Sequence, residues 1–490
     1  MRALVACFFV AYLAVGLAIF GDYGIGWDEL MHRQQGRRIY EYVTEENPRG
    51  VEHHMRYHGP VLDTTLYALE KHLGVSDLRD VYRMRHLVYF LVFYTGTVFF
   101  YLLARRLLES SALALGGVLF LVMTPRLFAD SFYNPKDVPC VALFIVSMYT
   151  LTRYLEKPNE KRAAVHAAAS ALVLTLRLVG ALVPLFTVVA IGRRLWREKA
   201  TGALRSVAVY ASVTTTLSIL LWPTLWRDPV HHFLQALRSY GQYEGWPGSV
   251  LYMGESISSG ELPWHYVPVW IAVTTPLSYL ACFAVGLVQI ARAPSEKWSL
   301  IAGWFFLPLG AIILLESVVY DTWRHTYFVY PALLLIALFG LKQLFAARRT
   351  ALTVLTCLLI AVDLIGTFRF MVRNHPHQHL YFNTLVGGIR GADGRFDLDY
   401  WGVVYRKGLE HLAQTHPGET LRVSVAHAPG KYNTAFLSPE DRERIVLVDD
   451  PSDAEFYVTN FRFGDRSPFG EEVYSVNVDG VKVLTVFRRK

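Results

Sequence analysis

The stretch GDYGIGWDE, residues 21–29, follows directly on residues 3–20, an unbroken run of eighteen apolar or small residues. Such a run is long enough to cross a bilayer as a helix, which takes about 20 residues. Asp28 and Glu29 then lie only about two turns beyond the span, at the membrane surface. A carboxylate there keeps its charge because water reaches it, and it faces an environment of lower dielectric in which its basicity can be raised. The stretch therefore predicts a membrane protein with a reactive acidic pair beside its first span.

The composition of the whole chain agrees with a polytopic membrane protein. Of its 490 residues 53% are hydrophobic and only 18% are charged, and the mean hydropathy is +0.28. These values exclude a soluble protein of this size. The formal net charge is +7, but the basic residues lie mostly between apolar runs, where they orient a membrane protein. Membrane lipid is therefore an expected partner, and nucleic acid is not.

Apolar runs predict about eleven membrane-spanning helices in all. We interpret the first as a retained helix, because no small-x-small cleavage site precedes Gly21. Arg177 alone separates two of the shorter runs. The runs after the first lie at 87–104, 112–128, 138–152, 163–176, 178–192, 204–222, 266–291, 299–316, 326–345 and 350–372.

Loop charges predict the orientation of these spans. The rule that cytoplasmic loops are rich in lysine and arginine assigns the basic loops and the amino terminus to the cytoplasm. An odd number of spans then places the loop 21–86, and the tail after residue 372, outside. The chain is thus predicted to be a multi-pass protein of the cytoplasmic (inner) membrane. The basic residues fall on alternate loops, at 105–106, 153–162, 193–205, 292–297 and 348–349.

The chain divides into two predicted domains, a transmembrane domain at 1–373 and an extracytoplasmic α/β domain at 374–490. In the outer loop 21–86, amphipathic segments at 31–42 and 62–73 are typical of helices on a membrane surface, and 230–240 is similar. Residues 377–383 and 399–401 stand at the membrane end of the second domain, where they either contact a substrate or only seat the domain. The second domain is predicted to contain a helix at 403–414, strands at 421–426, 444–448 and 455–459, and a strand pair around 477–480.

Three cations are unusual because they stand on the predicted outer side. Lys136, Arg177 and Arg324 are the lone cations of three short outer turns, where the orientation rule disfavours them. A single such residue usually reaches out to lipid headgroups. Here three cations break the orientation rule independently, and each adjoins spans that can converge. This pattern favours a site that binds an anion at the outer leaflet.

Structural interpretations of the same residues stay open. Asp28 and Glu29 can cap a helix or lie in an ordinary loop, and Asn134-Pro135 can be a simple turn. Four histidines, His32, His53, His54 and His58, match no zinc-ligand spacing, so no metal site is predicted.

Several short motifs together resemble the GT-C superfamily of integral-membrane glycosyltransferases, most closely glycosyltransferase family 39. These motifs are residues 23–29 after the first span, Tyr57-His58-Gly59-Pro60 in the same loop, residues 130–137, and Arg324-His325 before a span that contains Tyr-Pro. Their order and their side of the membrane agree with the superfamily. The resemblance covers about residues 1–375 and implies the GT-C fold.

The resemblance implies transfer of a sugar, a hexose or a pentose, from a polyprenyl phosphate to an acceptor hydroxyl on the outer face, with inversion. Asp28 would be the general base with Glu29 beside it, and no cofactor is implied, although the sequence does not decide whether a divalent cation takes part. Relatives often carry Lys-Pro-Pro-Leu where this chain has residues 58–61, which weakens the case for His58. The residues implied to bind the donor phosphate are Lys136, Arg177, Arg324 and His325, and further site residues are Asp130, Asn134, Asp137 and His58.

Two other functions stay open. A carrier or flippase for polyprenyl-linked glycans would use the same cations without a base, and a glycan polymerase would use a lipid-linked oligosaccharide as donor. The adjacent acids favour the transferase. The sequence does not identify the sugar, nor whether the acceptor is a glycan, a lipid or a protein.

Overall fold

The apolar runs fold into helices. The computed structural model describes residues 1–45, 51, 55–198, 204–241, 246–347, 350–464 and 470–489; His53 and His54 lie outside these ranges. The helices of the membrane part are α1 (Arg2–Ile19), α2 (Glu29–Thr44), α3 (Val61–His72), α4 (Leu78–Leu108), α5 (Ser111–Val122), α6 (Pro125–Tyr133), α7 (Asp137–Glu156), α8 (Glu160–Leu176), α9 (Leu182–Glu198), α10 (Leu204–Leu221), α11 (Pro229–Gly241), α12 (Tyr266–Thr274), α13 (Leu277–Arg292), α14 (Glu296–Leu314), α15 (Tyr330–Ala346) and α16 (Thr350–Arg373).

Eight helices of the described ranges are long and apolar enough to cross a membrane, or nine if one bent pair counts as a single span. The protein is therefore a multi-pass membrane protein, but the expected number of eleven is not confirmed. The predicted span 163–176 is the last part of α8, which has only 17 residues. The predicted amphipathic helices are confirmed as α2, α3 and α11.

Proline interrupts two of the predicted spans. Within the run 112–128, helix α5 ends at Val122. The next helix, α6, starts at Pro125, and the two helices are bent by 67° relative to each other. Proline has no N–H to donate, so it begins a helix more readily than it continues one. Asp130 falls between the predicted spans 112–128 and 138–152, where a loop is expected, but it lies on the buried helix α6.

The run 266–291 is divided in the same way into α12 and α13, with Pro276 at the break. Asn383 fills the gap, because its Nδ2 donates to the carbonyls of Ala272 and Thr275 at 2.6 and 2.7 Å. Carbonyls that would otherwise lack a partner at this helix end are thereby satisfied.

The predicted cytoplasmic loops of the described ranges meet at one end of the bundle; the loop 348–349 lies outside these ranges. Arg106 pairs with Glu156, Lys297 lies 3.8 Å from Glu109, and Arg197 pairs with Glu296. Asp28, Asp137, Arg177 and Arg324 meet elsewhere, beside the carboxyl-terminal domain. Which end faces the cytoplasm stays a prediction.

The carboxyl-terminal part folds around a five-stranded sheet, as predicted. The elements of this part are α17 (Gly388–Ala392), α18 (Tyr405–Thr415), α19 (Ala428–Asn433), α20 (Pro439–Arg444), β3 (Leu421–Val425), β4 (Ile445–Leu447), β5 (Phe456–Thr459), β6 (Glu471–Val478) and β7 (Val481–Arg488). The strand order is β4-β3-β5-β7-β6, with β4, β3 and β5 parallel and the rest antiparallel. Apolar residues of α18, such as Leu409 and Leu412, pack on the sheet. A separate hairpin, earlier in the chain, joins β1 (Ser249–Tyr252) to β2 (Glu255–Ser258).

This domain holds the loop that leads to Asp28. Asn433 accepts the N–H of Ile25 at 2.9 Å and donates to its carbonyl at 3.0 Å, and the N–H of Trp27 donates to the Trp401 carbonyl at 3.1 Å. The packing is tight enough to require glycine, since a Cβ at Gly24 would lie 2.3 Å from the Val403 carbonyl oxygen. The position of Asp28 therefore depends on both domains.

Candidate active site

Asp28 immediately precedes α2, and its carboxylate contacts Arg324. The guanidinium donates from Nη1 to Asp28 Oδ2 at 3.0 Å. Arg324 begins the 3₁₀ turn Arg324–Val329 that leads into α15. The Asp28 side chain is 18% exposed and the Arg324 side chain 7%. A reactant can therefore reach the carboxylate, while the guanidinium is fixed by its surroundings.

Asp137 brings a second cation to this pair. Its Oδ2 accepts from Arg324 Nη1 at 3.3 Å, and its Oδ1 pairs with Arg177. Asn134 orients the carboxylate, because its Nδ2 donates to Asp137 Oδ2 at 3.0 Å and its Oδ1 accepts the Asp137 N–H at 2.7 Å. Asp137 begins α7 and Arg177 follows α8. The guanidiniums of Arg324 and Arg177 therefore converge between the start of α7 and the end of α8.

Lys136 supplies a third cation, and its ammonium is buried. Nζ lies 3.8 Å from Asp63 Oδ2, beyond hydrogen-bond distance, and no group of the described residues accepts a hydrogen bond from it. Burial lowers the pKa of Lys136 to about 8, against the opposing effect of Asp63, and the charges of Arg177 and Asp28 also act on it. A buried ammonium without an acceptor would stabilise an anion placed beside it.

Glu29, unlike its neighbour, is directed into the protein interior. Its side chain is fully buried. Oε1 accepts the N–H of Gly26 at 2.8 Å, and His86 Nε2 lies 3.1 Å from Oε2. The carboxylate thus closes the turn before α2 and ties that turn to α4.

We expect Glu29→Ala to destabilise the fold, because it leaves the Gly26 N–H and His86 without this partner. An unsatisfied buried group costs about 1 to 3 kcal/mol, so the melting temperature of the purified protein in detergent should fall. Glu41→Ala is the matched control on α2, since it removes only an exposed contact with Arg37. Equal melting temperatures for the two variants would contradict the anchoring role of Glu29.

Asp130 is surrounded by aromatic donors. It is fully buried and accepts from Tyr133 at 2.7 Å, from Tyr327 at 3.0 Å and from Trp401 Nε1 at 3.4 Å. The Trp401 ring in turn lies 5.0 Å from the Arg324 guanidinium. Asp130 therefore connects to the cation cluster through an aromatic side chain, and segment 399–401 both seats the domain and contacts the cluster.

The two histidines of the predicted site lie in segments next to its cations. The His325 ring packs edge-on against Tyr320, with 4.8 Å between centroids. The His58 carbonyl accepts from Gln35 Nε2 at 2.9 Å. At the next residue a Cβ on Gly59 would lie 2.1 Å from the Thr175 carbonyl oxygen, so this loop packs directly against the end of α8, two residues before Arg177.

Three charged residues that the predicted site omits also belong to the cluster. Asp321 Oδ2 accepts from Arg324 Nη2 at 3.4 Å, and its Oδ1 accepts from Arg462 Nη2 at 2.6 Å. Arg462 follows β5, so the carboxyl-terminal domain contributes a cation. The third residue is Asp63, which lies 3.0 Å from His32 Nδ1 and faces Lys136.

The sequence contained a signal for one of these residues. On α3 the buried positions are Asp63, Leu66, Tyr67 and Glu70, which is the apolar stripe of an amphipathic helix with a carboxylate at each end. Acidic residues on such a stripe indicate buried partners. Arg462 carried no comparable local signal, because its partner Asp321 is 141 positions away.

No protein-family model and no curated protein sequence matches the chain. Solved structures that are similar along almost its whole length include the following two. One is ArnT from Cupriavidus metallidurans bound to undecaprenyl phosphate, with 13% identity, 97% of each chain covered and a TM-score of 0.53. The other is the oligosaccharyltransferase of Archaeoglobus fulgidus in complex with zinc and sulfate, with 9% identity, 96% of this chain and 72% of that chain covered, and a TM-score of 0.50.

Similarity at this level of identity concerns the fold. It confirms the architecture that the sequence motifs implied, while family 39 stays a prediction. The chain is a multi-pass membrane protein with a GT-C-like fold and a small carboxyl-terminal α/β domain.

Proposed function

We propose that the protein is an integral-membrane glycosyltransferase that moves a sugar from a polyprenyl-phosphate donor to an acceptor hydroxyl, with inversion. The observation that carries this proposal is the convergence of one accessible carboxylate, Asp28, with Arg324, Arg177 and Lys136. A base and a cluster of cations are the two groups that such a transfer requires. The full-length similarity to a structure bound to undecaprenyl phosphate supports the lipid donor.

In the proposed step the acceptor oxygen attacks the anomeric carbon on the face opposite to the phosphate. The bond from that carbon to the phosphate oxygen breaks, and its electron pair goes to the phosphate. The hydroxyl proton goes to the Asp28 carboxylate. Negative charge grows on the leaving polyprenyl phosphate, where Lys136, Arg177 and Arg324 would stabilise it.

Arg324 also limits what Asp28 can do. Its hydrogen bond to Oδ2 fixes the orientation of the carboxylate and leaves Oδ1 for the acceptor. Glu29 is fully buried against Gly26 and His86, which favours Asp28 as the base and Glu29 as its structural support.

We place the reaction on the outer face of the cytoplasmic membrane, because the cluster lies at the end of the bundle away from the basic loops. The sugar is a hexose or a pentose, and its polyprenyl chain would stay in the lipid while the phosphate enters between the helix ends.

The test is transfer by the purified protein in lipid nanodiscs. Undecaprenyl phosphate carrying one radiolabelled hexose or pentose at a time is supplied with fractionated cell-envelope glycans, lipids and proteins. We expect label to enter one acceptor fraction with inverted anomeric configuration, and an equal amount of undecaprenyl phosphate to be released. Translocation of the lipid across proteoliposomes without any transfer would show a carrier instead, and transfer of preassembled oligosaccharides would show a polymerase.

A further inference from the structure

A cleft of about 570 Å³ opens beside Trp27, and its walls come from three segments outside the predicted spans. Trp27 contributes from the loop before α2, Trp246 stands just before the β1–β2 hairpin, and Phe463 follows β5. Small-molecule sites commonly have volumes of about 300 to 1,000 Å³. The cleft is linked to Asp28 by a chain of contacts. Arg462, 5.0 Å from the Trp27 ring, donates to Asp321, and Asp321 also accepts from Arg324, the partner of Asp28.

The aromatic walls are held in place by Arg462. Its guanidinium lies 5.0 Å from the Trp27 ring and 5.5 Å from the Trp246 ring. Asp321 and the Tyr400 carbonyl anchor the same guanidinium at 2.6 and 2.5 Å. The cation thus fixes both indole rings before any ligand arrives, which lowers the entropy cost of binding.

Phe463 completes the wall in an unusual conformation. Its ring is stacked near that of Trp246, with centroids 5.8 Å apart, yet its side chain stays 48% exposed. Its φ of +63° is a backbone conformation that a bulky residue rarely adopts. Such strain persists where the surrounding structure enforces it, commonly at ligand sites.

The lining identifies the chemical class of the ligand. None of the described residues that line the cleft is charged, and Ser249 and Ser256 add hydroxyl groups between the aromatic faces. A phosphorylated headgroup would require cations at the lining itself. A sugar ring fits, because its C–H face packs on aromatic rings while its hydroxyls bond to serine and backbone groups. The walls lie outside the spans, which also disfavours an acyl chain.

We propose that this cleft is the acceptor site and that the acceptor is a neutral carbohydrate. One of its sugar rings lies against Trp27 and Trp246 and directs a hydroxyl to Asp28. The role as acceptor site rests on the proposed glycosyltransferase function, whereas carbohydrate binding in the cleft can be measured without it.

The test is binding of the purified protein, in detergent, to an array of neutral oligosaccharides, peptides and phospholipids. We expect the wild type to bind one or more oligosaccharides, and Trp246→Ala to weaken that binding about tenfold or more, equivalent to about 1.4 kcal/mol. Trp246→Phe should keep most of the affinity, because it retains an aromatic face. Trp264→Ala is the matched control, since Trp264 is 69% exposed and lies outside the cleft. Elution of each variant as a single sharp peak in gel filtration confirms that it is folded.

Kinetics separate this inference from the proposed function. If the wild type transfers sugar, Trp246→Ala should raise KM for the acceptor and leave KM for the donor unchanged. An unchanged KM for the acceptor would overturn the assignment of the cleft as the acceptor site but not the proposed glycosyltransferase function. Array binding without any transfer would support the carbohydrate cleft and count against the transferase. Three results would overturn the proposal that the cleft binds carbohydrate. They are binding only to peptides or phospholipids, an equal loss of affinity in Trp264→Ala, and no array signal for the wild type.

Discussion

Asp28→Asn is expected to lower the rate of sugar transfer by a factor of about 10² to 10⁴, the usual effect of losing a general base. The amide keeps the shape of the side chain but accepts no proton. Arg324 retains Asp137 and Asp321 as partners at 3.3 and 3.4 Å, so it stays in place for the donor phosphate. Donor binding should therefore persist. The measurement is single-turnover transfer from a radiolabelled polyprenyl-phosphate sugar, with donor affinity determined on the same preparation.

Asp22→Asn is the matched control for this substitution. Asp22 lies six positions earlier in the same loop, is 49% exposed and contacts His375 Nε2 at 2.8 Å, so its variant should transfer at the wild-type rate. Full transfer by Asp28→Asn would remove Asp28 as the base. Parallel loss of donor binding and transfer would instead make it a binding residue, and a carrier would translocate lipid equally well in both variants.

The positions of most helices and strands could be predicted because they follow from local patterns. An apolar run of sufficient length specifies α1, and an amphipathic period specifies α3 and α18. Arg177 separates α8 from the next helix as expected, since a lone cation between two short apolar runs is best placed at the membrane surface.

The course of the chain inside the membrane part was not predictable to the same degree. Apolar composition shows that residues 112–128 and 266–291 avoid water, but not whether neighbouring protein or lipid surrounds them. Pro125 and Pro276 each stand at a helix break. Tertiary contacts then provide partners for the backbone groups at the break, as Asn383 does for the carbonyls at the end of α12. The number of spans therefore depends on tertiary packing, which a short stretch of sequence does not reveal.

The same limit applies within the site. The exceptions to the loop-charge rule identified Lys136, Arg177 and Arg324, because cations on short outer turns need anionic partners, and the structure brings these residues to Asp63, Asp137 and Asp28. Which acid of the adjacent pair faces them was undetermined. That choice depends on His86, 57 positions from Glu29 along the chain, which holds Glu29 in the interior.

Lys136→Ala is expected to lower kcat/KM for the donor about 10- to 150-fold, since a hydrogen bond to a charged group is worth about 1.5 to 3 kcal/mol. Removing the buried ammonium should also leave Asp28 able to act, so the loss should be smaller than for Asp28→Asn. Lys71→Ala, on the exposed face of α3, is the control and should have the wild-type kcat/KM.

The pH profile tests Lys136 more specifically. Burial lowers its pKa to about 8, so the ammonium is charged below this pH and loses its charge above it. The kcat/KM of the wild type, which reports the free enzyme, should therefore fall about tenfold per pH unit above this pKa until it reaches the level of Lys136→Ala. Lys136→Arg keeps its charge throughout and should abolish this alkaline decline, even if its absolute rate is lower.

In the donor complex the phosphate raises the pKa of Lys136, so the decline in kcat should begin at a higher pH than the decline in kcat/KM. An identical alkaline decline in Lys136→Arg and the wild type would show that another group titrates and that the Lys136 ammonium does not hold the phosphate.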